Sequence, residues 1–153
     1  MPTYARGAIF GFCALLVAIQ FIRPARTNPQ VTPASTLEAK VNVPPDVERI
    51  LTAACKDCHS YETRWPWYSN VAPVSWFVIN HVNDARQRLN FSEWPPPTSV
   101  SARFSRRPRP SACDEVQTHD MPLFSYRLIH RDSRLTPQDI QTFCQWANAA
   151  LPQ

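Results

Sequence analysis

Residues 53–59 read Ala53-Ala54-Cys55-Lys56-Asp57-Cys58-His59. Two thiols at this spacing can reach the two vinyl groups of one haem and form thioethers. The histidine that follows is then placed under the iron as its proximal ligand. The residues ahead of the motif predict a helix. Pro44-Pro45 precede Asp46-Val47-Glu48-Arg49-Ile50-Leu51-Thr52, and a proline start with acidic residues in the first turn suits a helix N-terminus. Val47, Ile50, Leu51 and Ala54 recur at i, i+3, i+4 and i+7, so one face of this helix belongs to a core. Lys56 and Asp57 read as exposed spacers.

Three rival readings compete for the motif. A thioredoxin-like redox pair needs a strand before it and a helix after it, whereas here the helix comes first. A zinc site wants a second pair of ligands at similar spacing, and the sequence has none. The third rival is chance.

The start of the chain supports export. Ala8 to Ile22 is apolar apart from Gln20, with Arg6 before it and Arg23 and Arg26 after it. A charged start followed by an apolar run describes an export signal. No small-x-small cleavage site lies just after Ile22, and the nearest, Thr32-Pro33-Ala34, carries a proline, which favours an uncleaved signal anchor. Fifteen residues at ~1.5 Å each span ~23 Å, short of a ~30 Å hydrocarbon core, unless Tyr4, Ala5 and a snorkelling Arg6 extend the run. Cys13 reads as a thiol buried in this anchor. Haem attachment to such a motif takes place outside the bacterial cytoplasmic membrane, so the residues after Arg23 are expected to face the periplasm. Residues 23–43 are polar and proline-containing and read as a semi-extended tether.

The chain of 153 residues has 16 prolines, 2 glycines and a formal charge of +4. So many prolines mean many breaks and extended connections, which suits a small helical domain with long loops. A core of that size often needs a staple or a cofactor. Part of the charge lies in Arg103, Arg106, Arg107 and Arg109. No nucleic-acid motif accompanies this run, so it reads as an exposed, mobile loop or a docking patch for an acidic partner.

Aromatic residues crowd after His59: Trp65, Trp67, Tyr68 and Trp76. They can cover a large flat apolar body or serve as plain core. Val78, Val82, Ala85 and Leu89 predict a second helical stripe. Thr136-Pro137-Gln138-Asp139 reads as an N-cap, a proline at N1 and an acidic N3, followed by Ile140, Phe143, Cys144, Ala147 and Leu151 on one face.

The stretches CKDCHSYETRWPWYSNVAPVSWFVINHVNDARQRLNFSEW and CDEVQTHDMPLFSYRLIHRDSRLTPQDIQTFCQWANAA resemble the haem-binding domain family of bacterial exported proteins, which are similar to monohaem cytochromes c. The segment RWPWYS, the following H-V-x-x-x-R and N-F-S-E-W carry more specificity than the Cys-x-x-Cys-His motif alone. The family usually has glycine where Ala85 precedes Arg86, and it tends towards a charged helix where residues 95–110 are proline-rich. The resemblance implies a mainly α, small cytochrome c-like domain around one covalent haem c, in which a late helix packs on the early one. It also implies a Met-Pro pair at Met121-Pro122.

The iron needs a sixth ligand, and the candidates are Met121, His81, His119 and His130. Met121 sits in a loop between two helical stretches, and a thioether favours reduced iron and raises the potential. His81 shares a face with Val78 and Ala85 and is the rival; an open site is the third option. Cys113 and Cys144 remain, and exported thiols tend to pair. A bridge over a loop of about thirty residues would stabilise by roughly 3–4 kcal/mol in the chain-entropy model. Two buried free thiols are the alternative.

The expected organisation is a signal anchor or signal peptide over 1–22, a periplasmic tether over 23–43 and a haem-binding domain over 44–153. The expected function is covalent haem binding through Cys55, Cys58 and His59, with Met121 on the iron, and single-electron transfer in the periplasm. The alternative is a haem-based sensor, ligand-binding or peroxidase-like module, and a third is a zinc or disulfide domain without haem. No acid–base pair or substrate pocket is legible, so no enzymatic turnover is expected. The expected partners are a redox protein and the inner membrane, with no nucleic acid.

Overall fold

The computed structural model describes residues 3–94 and 111–150. Among these residues the chain is helical and has no strand. The arginine run from Arg103 to Arg109, the proline-rich stretch 95–110 and Leu151 lie outside the described residues.

Helix α1 (Thr3–Ala18) continues as a 3-10 turn through Ile19–Phe21, and none of it is buried. Its 19 residues are long and apolar enough to cross a membrane by length and composition. At 1.5 Å per residue they reach about 28 Å. The helix starts at Thr3, so Tyr4, Ala5 and Arg6 do lengthen the apolar run. Cys13 on this helix is a free, exposed thiol.

The expectation of a tether over 23–43 is corrected. This segment folds onto the domain through a 3-10 turn at Pro33–Ser35 and a short helix α2 (Leu37–Lys40). Leu37 is fully buried in the core, with Val41 and Val43 packed against it. Backbone bonds hold the segment: Leu37 N–H to the Phe91 carbonyl at 2.7 Å, and Trp94 N–H to the Ser35 carbonyl at 2.7 Å. The segment is polar and carries three prolines, yet Leu37, Val41 and Val43 pack it on the core. Composition averages over such sparse contacts, which is why it suggested a linker.

Helix α3 (Pro45–Ala54) begins with its proline at N1 and buries Val47, Ile50 and Leu51, as its periodicity predicts. It passes through Cys55 into a single turn, α4 (Lys56–His59). A 3-10 turn at Trp67–Asn70 leads to α5 (Val74–Arg88), which buries Ser75, Ile79, Val82 and Ala85. The buried face is thus rotated from the expected stripe, leaving Val78 and Leu89 half-buried. Helix α6 (Ala112–Gln117) opens with a Ser111–Asp114 capping box. Helix α7 (Phe124–Ile129) follows, and α8 (Pro137–Ala150) ends the described chain. Thr136 and Asp139 cap α8 reciprocally, with Asp139 N–H on Thr136 Oγ1 at 3.1 Å and Thr136 N–H on Asp139 Oδ2 at 2.9 Å.

The core joins α3 to α8 through Val47, Ile50, Leu51, Phe143, Trp146 and Ala147, with Phe91 and Trp94 closing one side. Cys113 on α6 and Cys144 on α8 form a disulfide, with Cα atoms 4.9 Å apart. Trp146, absent from the expected helix face, is buried and donates its indole N–H to the Asn42 carbonyl at 3.0 Å. That bond again ties the early segment to the last helix.

Candidate haem site

The turn of α4 is built by Cys58 N–H and His59 N–H donating to the Cys55 carbonyl at 3.1 and 2.9 Å. This tight turn sets the two thiols and the imidazole on one short stretch. Cys55 and Cys58 are free thiols, unlike the disulfide pair in the core. Burial, helped by the neighbouring Cys58 thiol, pushes Cys55 up to about 12. Burial and the Asp57 carboxylate push Cys58 up to about 11, against the opposing Arg86 charge. Both are therefore protonated at neutral pH, the reverse of the low-pKa thiolate that a disulfide-exchange site needs.

His59 is oriented by the segment after α5. Its Nδ1–H donates to the Leu89 carbonyl at 3.0 Å, and its own carbonyl accepts from Phe91 N–H at 2.8 Å. A carbonyl can only accept, so Nδ1 carries the proton and Nε2 keeps its lone pair. Burial lowers the imidazole pKa, against the pull of the Leu89 and Ala85 carbonyls, and keeps the ring neutral. A neutral imidazole with Nδ1 tied to a carbonyl is the donor form that a haem iron takes. Phe91 packs near the ring, with centroids 6.2 Å apart. Asn90 and Ser92 are buried beside it, and Ser92 Oγ accepts from Tyr61 N–H at 2.9 Å. The Asn-Phe-Ser-Glu-Trp stretch thus holds the histidine and the loop after it.

The two residues between the cysteines are not exposed spacers. The Lys56 side chain is 15% exposed and pairs with Glu38 at 2.8 Å and Glu48 at 2.5 Å. Asp57 is 8% exposed. It takes Arg64 at 3.2 Å and the Tyr126 hydroxyl at 2.7 Å. Burial alone would raise the Asp57 carboxyl, but the bonds from Arg64 and Tyr126 outweigh it and hold the pKa below its ordinary value. One helical turn cannot expose every side chain of a motif packed between α3 and two loops. The motif pattern is silent on those loops, so Lys56 and Asp57 are corrected to anchoring groups.

Asp57 links α4 to α7. Tyr126, which donates to Asp57, stacks on His130 with centroids 4.1 Å apart, and His130 Nε2 shares a 2.7 Å hydrogen bond with the Tyr68 hydroxyl. This chain ties the Met121–His130 region to the Cys-x-x-Cys turn. Met121 itself is half-buried, and its N–H donates to the Glu115 carbonyl at 2.9 Å. Of the rival ligands, His130 has Nε2 engaged by Tyr68. His119 is exposed in a left-handed turn at φ 62°. His81 is half-buried and packs on Phe77, with centroids 4.3 Å apart.

Arg86, from the H-V-x-x-x-R motif, is the hub of the loop after His59. Its guanidinium donates to the Ser60 carbonyl at 2.7 Å, the Thr27 carbonyl at 2.7 Å, Asn28 Oδ1 at 2.9 Å and Thr63 Oγ1 at 2.8 Å. It also lies over the rings of Tyr61 and Trp65, 5.3 and 6.0 Å from their centroids. Asn28 gave no signal in the sequence, because its role depends on a segment that reads as a linker. Of the aromatic residues expected to crowd together, Trp65, Tyr68 and Trp76 are half-buried, whereas Trp67 is 77% exposed.

The residues present fit a haem. Two free thiols precede a neutral histidine whose Nδ1 is tied to a carbonyl, and α7, which Tyr126 fastens to Asp57, leaves its apolar Phe124, Leu128 and Ile129 more than half exposed. Such a band is what a large flat apolar group would cover. A closed zinc site does not fit, since among the described residues no three His, Cys, Asp or Glu side chains gather to hold a metal ion. An all-helical domain with this site is of the haem-binding class. A haem-binding domain family matches residues 14–149, nearly the whole chain, and the chain belongs to that family. The match begins inside α1 and spans the early segment that packs on the domain. No curated protein and no solved structure matches the chain.

Proposed function

We propose that the chain carries one c-type haem, bonded to Cys55 and Cys58 and ligated by His59 and Met121, and passes single electrons on the periplasmic side of the inner membrane. The observation that carries the reading is the geometry of α4: two free thiols one turn from an imidazole whose Nδ1 is fixed by the Leu89 carbonyl. Each thiol would add its S–H across one vinyl double bond, sulfur to one carbon and hydrogen to the other, with no oxidant consumed. His59 would donate Nε2 to the iron while Leu89 holds the ring in place. Met121 would supply the sixth ligand from the loop that Tyr126 fastens to Asp57. When bound, the haem supplies a one-electron ferric/ferrous couple, and a thioether ligand raises its potential. The domain by itself is proposed to turn over no substrate. Its partner is a redox protein, and it engages no nucleic acid. Helix α1 anchors the chain in the inner membrane.

The test is the full chain exported in a host competent for cytochrome c maturation. The expected product is a chain that keeps haem stain on a denaturing gel and shows a low-spin spectrum in both redox states. Haem lost from the wild-type chain on denaturation would overturn covalent attachment. A high-spin reduced spectrum that shifts with carbon monoxide would replace the electron carrier with a ligand-binding module.

A further inference from the structure

We infer that the loop Val71–Val74, with the start of α5, is a lipid-contacting face that seats the domain on the anionic surface of the membrane α1 enters. The inference rests on α1 as a membrane anchor, as proposed above.

Gln20 is the one polar residue of the apolar run from Ala8 to Ile22. Its side chain closes a two-way clamp on one residue of the domain. Nε2 donates to the Ala72 carbonyl at 3.1 Å, and Oε1 accepts from Ala72 N–H at 3.0 Å. Nε2 also donates to the Leu16 carbonyl at 2.9 Å, so the amide is satisfied at the end of an apolar helix. Two residues beyond Gln20, the Ile22 carbonyl accepts the Trp76 indole N–H at 2.7 Å, and further on Arg26 Nη1 reaches Ser69 Oγ at 3.4 Å. The exit of α1 is therefore keyed to residues 69–76 and does not swing freely on a linker.

This keying fixes the level of the loop relative to the bilayer. Ala72 meets Gln20 within the last turn of the span, so Val71 and Val74 on either side lie where the apolar span ends. They are 43% and 45% exposed, and Phe21 and Ile22 beside them are 84% and 61% exposed. Single exposed valines need no explanation. Four exposed apolar side chains continuous with a helix that buries nothing form one surface whose cover is the lipid itself. Arg23 and Arg26 follow at once, where cations meet anionic headgroups, and the Trp76 indole sits at the same level.

The test uses the full haem-loaded chain in phosphatidylcholine vesicles, with and without phosphatidylglycerol. The probe is a phospholipid carrying a diazirine near the glycerol end of one acyl chain, with adducts mapped by mass spectrometry. Adducts are expected on α1 and on residues 71–77, about ten-fold above those on α8, because interfacial contact follows apolar area and charge. Val71→Asp with Val74→Asp, at exposed positions, should lower the adducts on 71–77 about ten-fold and leave those on α1. Gln20→Leu should do the same by releasing the clamp. Adducts confined to α1 would overturn the face while the anchor stands. Adducts nowhere would overturn the anchor and the face together. Equal labelling with and without phosphatidylglycerol would overturn the role given to Arg23 and Arg26.

Discussion

Two cysteine pairs in this chain end in opposite states. Cys55 and Cys58 are neighbours in sequence and remain separate thiols, whereas Cys113 and Cys144, 31 residues apart, are bonded. Nearness along the chain does not decide pairing. Cys113 and Cys144 face each other because α6 packs on α8 within the core, and both side chains are buried there. Cys55 caps the end of α3 and Cys58 lies in the next turn, α4, one residue before His59, and no sulfur–sulfur bond joins them. One pair is a staple for a small core, and the other is the proposed attachment point. A domain of this size has use for both, since its buried apolar area is modest.

The largest effect that could break this contrast is on attachment. Cys55→Ala with Cys58→Ala should abolish haem stain on a denaturing gel and leave the Cys113–Cys144 bond intact by mass spectrometry. Retained haem in that variant would place the attachment elsewhere. His59→Ala, with both thiols present, should keep some covalent haem but lose normal ligation in the absorption spectrum. The contrast sharpens at Met121, the proposed sixth ligand, in the loop between the two regions. Met121→Ala should convert the iron from low-spin to a form open to exogenous ligands and lower the potential. His81→Ala should leave the spectrum nearly unchanged, and the reverse outcome would point to bis-histidine ligation.

Cys113→Ser with Cys144→Ser should lower unfolding stability by about 3–4 kcal/mol in the chain-entropy model, read from denaturant titration, with haem still attached. A variant that loses its haem as well would show that the staple and the attachment site are one unit. Asp57→Asn tests the link between the regions. Removing the charge that Arg64 and Tyr126 bond should cost about 1–3 kcal/mol and loosen the Met121 loop.

The smallest effect is the acid limb of stability. Asp139 is held at about 2 by bonds from Thr136 and by Arg49, and Asp57 is also held below its ordinary value. For such groups the stabilisation is full above the unfolded pKa of about 3.9 and is lost as pH falls through the folded value. Thermal melts should therefore decline gently below about pH 6.5, where the unfolded chain protonates the histidine that the fold keeps neutral, and fall more steeply below about pH 4, with a shallower acid fall for Asp57→Asn. An unchanged melting temperature at pH 2 would remove these carboxylates from the account.

By itself the sequence determined the local features. The Cys-x-x-Cys-His spacing, the proline starts of α3 and α8, the Thr136–Asp139 cap and the apolar faces of α3 and α8 are all set by residues within a turn or two of each other. Their physics is short-range, so it can be read without the fold. The tertiary structure decided whatever depends on residues far apart. It packed 23–43 against α3 and α8 through Leu37 and the Asn42 carbonyl, and it made Arg86 a hub by bringing Thr27 and Asn28 to α5. It turned Asp57 from a spacer into the anchor of Tyr126, 69 residues away, and it rotated the buried face of α5 towards Ile79. A polar side chain carries no mark in the sequence of which distant partner will satisfy it. That partner exists only once the apolar faces have packed, because burial is what makes the hydrogen bond necessary.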